Sequence, residues 1–151
     1  MTHKLPEPML RAFIEAESAA QMGEVPVGAV IADKLGNILA AAGNRTLRDH
    51  DPTAHAEMIV IRQAAAKLGS ERLVDCDLYA TLEPCAMCAG AISFARIRRL
   101  YFAASDEKMG AVENGPHFFT QPTCHHKPEV YSGIGQQRAE LLLKDFFKNR
   151  R

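Results

Sequence analysis

The feature that most constrains this chain is a pair of short motifs, His55-Ala56-Glu57 and Pro84-Cys85-Ala86-Met87-Cys88. Together they offer one imidazole and two thiols, which are ligands that zinc prefers, and one carboxylate that the metal does not need. Three protein ligands leave a tetrahedral zinc one position short, and a catalytic zinc holds water there. The spare carboxylate is the proton carrier that such a water needs. The fold must therefore bring two distant segments to one point.

The spacing within each motif indicates how the ligands lie on helices. Cys85 and Cys88 are at positions i and i+3, which are neighbours on one helix face, and the proline before them suits a helix start. The positive end of the helix dipole favours the thiolate form that binds metal. His55 and Glu57 would diverge in mid-helix. Because an upstream Pro-Thr pair places His55 in the first turn, we expect both side chains to approach the metal.

Hydrophobic periodicity predicts helices that alternate with short strands, which indicates an α/β layer fold with a partly parallel sheet. The predicted helices cover residues 6–22, 54–68, 86–94 and 136–151. The predicted strands cover residues 25–33, 38–42, 77–82, 99–103 and 130–131, and the first two form a hairpin. Residues 105–128 show no clear period, which is typical of a long functional or mobile segment.

Size and composition favour a single domain that spans residues 1–151. Four cysteines, two of them in a Cys-x-x-Cys pair, favour metal or redox chemistry in a reducing cytoplasm over a disulfide framework. The apolar stretches fall well short of the roughly 20 residues that a membrane helix needs. The first residues contain no apolar segment of a secretory signal. We therefore expect a cytoplasmic protein without a membrane partner.

The charge balance limits how this chain attracts nucleic acid. Eighteen basic and eighteen acidic residues cancel, so binding must use local patches. The simpler interpretation of each candidate patch is a solvated helix end, since cations are favoured near a helix C-terminus. The two candidate patches are Arg96, Arg98 and Arg99, and the run Lys144, Lys148, Arg150 and Arg151.

A second cluster allows a different use of the same cysteines. Cys124, His125 and His126 would complete a closed four-ligand zinc site with Cys85 and Cys88, and such a protein would be an interaction module. This alternative leaves the arrangement of the first motif unexplained. We expect Cys124 to be a free, partly buried thiol.

The order H-x-E and then P-C-x-x-C is the known signature of zinc-dependent nucleobase deaminases. On these motifs the chain resembles the bacterial tRNA-specific adenosine deaminases of the cytidine-deaminase-like superfamily, along nearly its whole length. The resemblance implies a three-layer α/β/α fold with a central mixed five-stranded sheet. It is carried by residues 24–30, 43–45, 51–57, 81–91, 106–111 and 145–147.

The resemblance also implies a reaction: hydrolytic deamination of adenosine to inosine at the wobble position of a tRNA anticodon, by a homodimer with one Zn²⁺ per chain. Glu57 would move the protons, and the metal ligands would be His55, Cys85 and Cys88. The implied substrate contacts are the base-binding Asn44, the backbone N–H of Ala56, the pocket residues Pro26 and Val27, the loop residues Asp106 and Lys108, Arg45 as a phosphate contact beside Lys108, and Phe146 as a stacking ring.

Two departures from the family pattern bear on RNA recognition. Ser105 stands where a charged residue is common in the family, and His125 stands about where an asparagine is common. Two other functions stay open at this point. One is a deaminase of free guanine, cytosine or cytidine, which needs no basic surface. The other is the non-catalytic zinc module.

Overall fold

A computed structural model describes residues 4–150, which form a five-stranded sheet and four α-helices. The strand order is β2-β1-β3-β4-β5. Strand β1 runs antiparallel to β2 and β3, whereas β3, β4 and β5 are parallel. The elements are α1 Glu7–Gln21, β1 Gly28–Asp33, β2 Ile38–Gly43, α2 Ala56–Leu68, β3 Cys76–Leu82, α3 Ala86–Phe94, β4 Arg99–Ala104, β5 Glu129–Ser132 and α4 Gln136–Lys148. Within residues 4–150, no helix has the length and apolar character to span a membrane.

The sheet is buried on both faces because its inner strands are apolar at nearly every position. Ala29 and Ile31 of β1 belong to a core that includes residues of α2 and α3. Val30 and Ala32, which point the opposite way, belong to a second core that includes residues of α1 and α4. Helices therefore cover both faces of the sheet. The predicted α/β/α architecture with a mixed five-stranded sheet is confirmed.

Most predicted element boundaries agree with the structure within one or two residues. There are two exceptions. Strand β1 starts at Gly28 and not at Val25, since its first ladder partner is Gly43 at the end of β2. Helix α4 ends at Lys148, short of the predicted end at residue 151. Residues 105–128 are mostly loop, as predicted, apart from a short 3-10 turn at Phe118–Thr120. The predicted last residue of α4, Arg151, lies outside the described residues.

Helix α1 lies directly on the β1–β2 hairpin at two glycines. A Cβ on Gly28 would collide with the carbonyl oxygen of Ala12, and one on Gly43 would lie 2.6 Å from the carbonyl oxygen of Glu15. Helix backbone and strand backbone therefore touch without an intervening layer of side chains. Asn44 follows Gly43 directly, so this contact fixes the point where the chain leaves the hairpin.

Candidate active site

The amino ends of α2 and α3 meet at one point. His55 is the residue before α2, with an extended backbone, and Cys85 is the residue before α3. The Nδ1 atom of His55 lies 3.5 Å from the Sγ atoms of both Cys85 and Cys88. In a tetrahedral zinc site with bonds of about 2.0–2.3 Å, ligand atoms are roughly 3.5 Å apart. The three side chains therefore fit a zinc ion, and within residues 4–150 no other group of His, Cys, Asp or Glu side chains clusters in this way.

The protonation of the cluster favours metal binding. Hydrogen bonds from Cys88 and His55, together with the charge on His55, lower the pKa of Cys85 to about 4. The same contacts leave Cys88 with a raised pKa, through its hydrogen bond to Cys85 and its burial. One sulfur is thus ionised at neutral pH, and the thiolate is the form that binds zinc. The ordinary pKa of a free cysteine would leave both sulfurs mostly protonated.

Glu57 lies two residues after His55 in the chain, and its surroundings separate it from an ordinary surface glutamate. Only 4% of the residue is exposed. Burial raises its pKa to about 7, because the charged form loses its hydration. A carboxyl group with this pKa exchanges protons readily at neutral pH, which is what a general acid–base requires.

His55, Cys85 and Glu57 line a cavity of about 1050 Å³, whereas Cys88 is fully buried behind them. Its floor contains His55, Glu57 and Cys85, and its sides include the apolar Val25, Val27 and Leu82. Its outer wall is the loop from Ser105 to Met109, which includes Asp106 and Lys108, and α4 contributes Leu143 and Phe147 with Arg150 beyond its end.

Asn44 connects the hairpin to the floor of the cavity. It lines the cavity, and its Oδ1 accepts the backbone N–H of Ala56 at 2.8 Å. The N–H of Ala56, which the resemblance assigns to the base, is therefore already occupied in this structure. The amide nitrogen of Asn44 is left as the donor at this position.

Comparison with known proteins assigns the chain to a family. The model of the cytidine and deoxycytidylate deaminase zinc-binding region matches residues 3–104. A tRNA-specific adenosine deaminase of Agrobacterium fabrum is 56% identical over 93% of this chain and 91% of its own length. One from Haemophilus influenzae is 45% identical over 96% of this chain and 84% of its own length.

A solved structure from a study of A-to-I editing by tRNA:A34 deaminases at the wobble position has a TM-score of 0.88 and 57% identity, and it covers 90% of this chain and 98% of that one. The chain belongs to the tRNA-specific adenosine deaminase family. A guanine deaminase from Bacillus subtilis is also similar in structure, with a TM-score of 0.64 and 32% identity over 99% of this chain and 94% of that one. These findings confirm the predicted family and, with the ligand cluster, one zinc per chain.

Three residues expected at the substrate site of this deaminase are not among the residues that line the cavity. Pro26 is buried, and Val25 and Val27 on either side of it line the cavity. Arg45 lines a separate surface pocket near α1 and pairs with Asp49 at 3.0 Å. The ring of Phe146 stacks under the guanidinium of Arg150, 4.6 Å away. Phe147, one residue further along α4, lines the cavity.

The basic patches of this deaminase are partly neutralised by neighbours. Arg98 forms an ion pair with Asp77 at 2.7 Å, and Arg99 forms one with Glu129 at the same distance. Arg150, at the C-terminal end of the chain, lines the cavity beside Phe147. The patch formed by Arg96, Arg98 and Arg99 is therefore mainly structural, whereas Arg150 lies at the mouth of the cavity.

The closed zinc site is not formed in the described part of this deaminase. The Sγ atom of Cys124 lies 3.4 Å from the hydroxyl of Ser93 and 3.2 Å from the carbonyl oxygen of His126. His126 in turn contacts the carbonyl oxygen of Ile97 at 2.7 Å. Cys124 is a half-buried free thiol, and the second cluster serves to pack the 113–128 segment against the end of α3.

Sequence reasoning missed Glu83 and Glu24, two buried carboxylates of this deaminase. Glu24 accepts the N–H groups of Leu47 and Arg48 at 3.1 and 2.9 Å, and so holds the loop after Asn44. Glu83 accepts N–H groups from the loop of the outer wall. A signal was available for Glu83, since it stands between an apolar strand and a proline, where a solvated glutamate is unexpected.

Proposed function

We propose that this chain is a hydrolase that converts adenosine to inosine at the wobble position of a tRNA anticodon. The observation that carries the proposal is the buried carboxylate of Glu57 in the same cavity as His55 and Cys85, two of the three clustered ligand residues. The substrate rests on the relatives, because proteins named tRNA-specific adenosine deaminases are 45–56% identical over more than nine tenths of this chain.

The proposed chemistry adds water to the purine ring and releases ammonia. Zinc held by His55, Cys85 and Cys88 would lower the pKa of a bound water from 15.7 to about 7. Glu57 takes one proton as the water oxygen attacks C6 of the adenine and delivers it to the ring nitrogen N1. It then passes the second proton of the water to the departing amino group. The products are inosine and ammonia, and the carboxylate is regenerated.

The residues around the floor hold the base for this attack. The Oδ1 atom of Asn44 is fixed by the N–H of Ala56 at 2.8 Å, so its amide nitrogen is held in place to donate to the purine. Val27 and Leu82 provide apolar walls against which the flat faces of a base can pack. A base held between a donor and apolar walls loses little freedom before the chemical step.

The RNA itself would be bound at the mouth of the cavity. An anticodon loop is single-stranded, so a base is turned into a pocket with little unpairing cost. Lys108 of the outer wall and Arg150 both line the cavity, and they are the cations we assign to phosphates. We further propose that the chain acts as a single domain, in a homodimer, in the cytoplasm where tRNA is modified.

The test is a substrate panel with the purified zinc-loaded protein. We expect inosine in an anticodon stem-loop with a wobble adenosine, and no turnover of free adenosine, guanine or cytosine. A stem-loop with adenosine moved one position along the loop is the matched control. Turnover of a free base would instead support the nucleobase deaminase, which the structural similarity to a guanine deaminase makes the next candidate. Absence of deaminated product in every reaction would refute the proposal.

A further inference from the structure

Glu83 is a buried carboxylate that the proposed chemistry does not use. It follows the last residue of β3 and lies two residues before the first zinc-binding cysteine. Only 3% of the residue is exposed. A buried charge is tolerated when hydrogen bonds replace its lost water, so the partners of this carboxylate indicate what it does.

All the hydrogen bonds of the Glu83 carboxylate come from one loop. Its Oε1 accepts the N–H of Asp106 at 3.0 Å and the side-chain amide of Asn114 at 2.7 Å. Its Oε2 accepts the N–H groups of Val112, Glu113 and Asn114 at 3.0, 2.9 and 3.1 Å. A carboxylate has about four lone-pair positions. Five donors therefore saturate it, and it has no capacity left to act on a substrate.

The loop that Glu83 holds carries the outer wall of the cavity. The donors come from its two ends, at Asp106 and at Val112–Asn114, while Glu107, Lys108 and Met109 between them line the cavity. Asp106 organises the turn, since its Oδ1 accepts the N–H groups of Lys108 and Met109, each at 3.1 Å. Glu83 thus holds this turn, by hydrogen bonds, next to the segment that connects β3 to α3.

Gly110 shows how closely the loop fits against Glu83. A Cβ at Gly110 would lie 2.5 Å from the carboxylate of Glu83 and would also collide with the carbonyl oxygen of Asp106. Neither partner is a flexible side-chain end, because the carboxylate is held by five bonds. Any side chain at position 110 must therefore displace the loop from Glu83.

We propose that Glu83 is a positioning residue that sets the outer wall at a fixed distance from the zinc-binding residues and thereby determines affinity for the RNA. The inference rests on the proposed function. The wall faces the nucleotides around the target base, whereas the chemistry takes place at the floor. Displacing the wall weakens contacts made equally before and during the reaction, so it raises KM and leaves kcat nearly unchanged.

The test compares Glu83→Gln and Gly110→Ala with Asp77→Asn as a matched control. Glutamine keeps the shape but turns a donor toward N–H groups, and alanine disturbs the same contact from the loop side. Asp77 is a buried carboxylate near the opposite end of β3 from Glu83, and it holds Arg98 at 2.7 Å. We expect KM for the stem-loop to rise about 10- to 100-fold in the first two variants, and to stay at the wild-type value in Asp77→Asn.

Two further measurements separate positioning from general support. Zinc content should stay at one equivalent in Glu83→Gln and Gly110→Ala, and the amides of Asp106 and residues 112–114 should exchange hydrogen faster. Unchanged KM, loss of zinc, or an equal rise of KM in Asp77→Asn would each overturn the proposal. If the wild type does not deaminate the stem-loop, the proposed function fails. Unchanged amide exchange in Glu83→Gln would then still overturn the role of Glu83.

Discussion

The floor and the outer wall of the cavity differ in almost every respect. The floor is formed by buried and half-buried side chains at the starts of two helices, and Glu57 is only 4% exposed. The wall is formed by exposed side chains, such as Met109 and Phe147, which are 67% and 52% exposed. Floor residues have perturbed pKa values and neighbours at fixed distances, whereas wall residues contribute charge and apolar surface. Chemistry and recognition are thus assigned to two layers with different physical requirements.

Removal of a zinc ligand should give the largest effect and would test whether the floor depends on the metal. In Cys88→Ala we expect loss of bound zinc and of all deamination, because two ligands bind zinc far more weakly than three. Cys124→Ala is the control, since its sulfur contacts Ser93 and not the cluster. Zinc content and inosine yield are the measurements. Zinc loss in Cys124→Ala would instead support the closed four-ligand zinc site.

Glu57→Gln should give the next largest effect. The amide keeps the size of the side chain but moves no protons, so we expect kcat to fall about 10²–10⁴-fold while zinc stays bound. Glu107→Gln makes the same chemical change on the outer wall of the same cavity, and its kcat should equal that of the wild type. Single-turnover rates with saturating stem-loop provide the comparison. A similar loss of kcat in both variants would erase the distinction between floor and wall.

A comparison of Glu24 with Glu57 shows whether burial alone makes a carboxylate catalytic, because both are buried. Burial tends to raise the pKa of Glu24, but N–H groups of Arg48 and Leu47 and the charge of Arg48 outweigh it, and the pKa lies below the ordinary 4.5. A lowered folded-state pKa means that this stabilisation is present above about pH 4.5 and is lost as the pH falls through the folded-state value.

In Glu24→Gln we therefore expect the free energy of unfolding at pH 7 to fall by about 1–3 kcal/mol and to depend less on pH in the acid range. Urea unfolding between about pH 3 and 7 measures both effects. The kcat at pH 7 should be that of the wild type. A large loss of kcat with unchanged stability would instead indicate that Glu24 has a catalytic role.

The smallest effect is expected from single cations, compared as the pair Lys108 and Arg45. Lys108 lines the cavity, whereas Arg45 is held by Asp49 at 3.0 Å in another pocket. Lys108→Ala should weaken RNA binding a few-fold and reduce the slope of log K against log salt by about 1. Arg45→Ala should leave that slope unchanged. Equal slopes in the two variants would mean that neither side chain contacts a phosphate.

The difference between floor and wall also explains what the sequence could predict. The His55–Glu57 and Cys85–Cys88 spacings are sufficient to predict which side chains meet at the metal, since each motif lies at a helix start that a proline marks. The alternation of buried strands and helices predicts the layers. The wall depends on which distant residues meet, and the sequence does not show which of the adjacent Phe146 and Phe147 on α4 lines the cavity. The partner of Arg45 and the five donors of Glu83 arise from loop conformations without a periodic signal.

The glycine contacts of α1 have a mechanical consequence for Asn44, the residue that we propose binds the base. At Gly28 and Gly43 no side chain separates the helix from the hairpin, so at these two points there is no soft layer that could be compressed or sheared. Asn44 directly follows that hairpin, so its backbone position is restrained by the contact with the fifteen-residue helix α1. If Asn44 donates to the purine as we propose, its amide nitrogen is held at a fixed position relative to α1 and the hairpin, and we expect any adjustment to the substrate to occur in the exposed loop at Ser105–Met109.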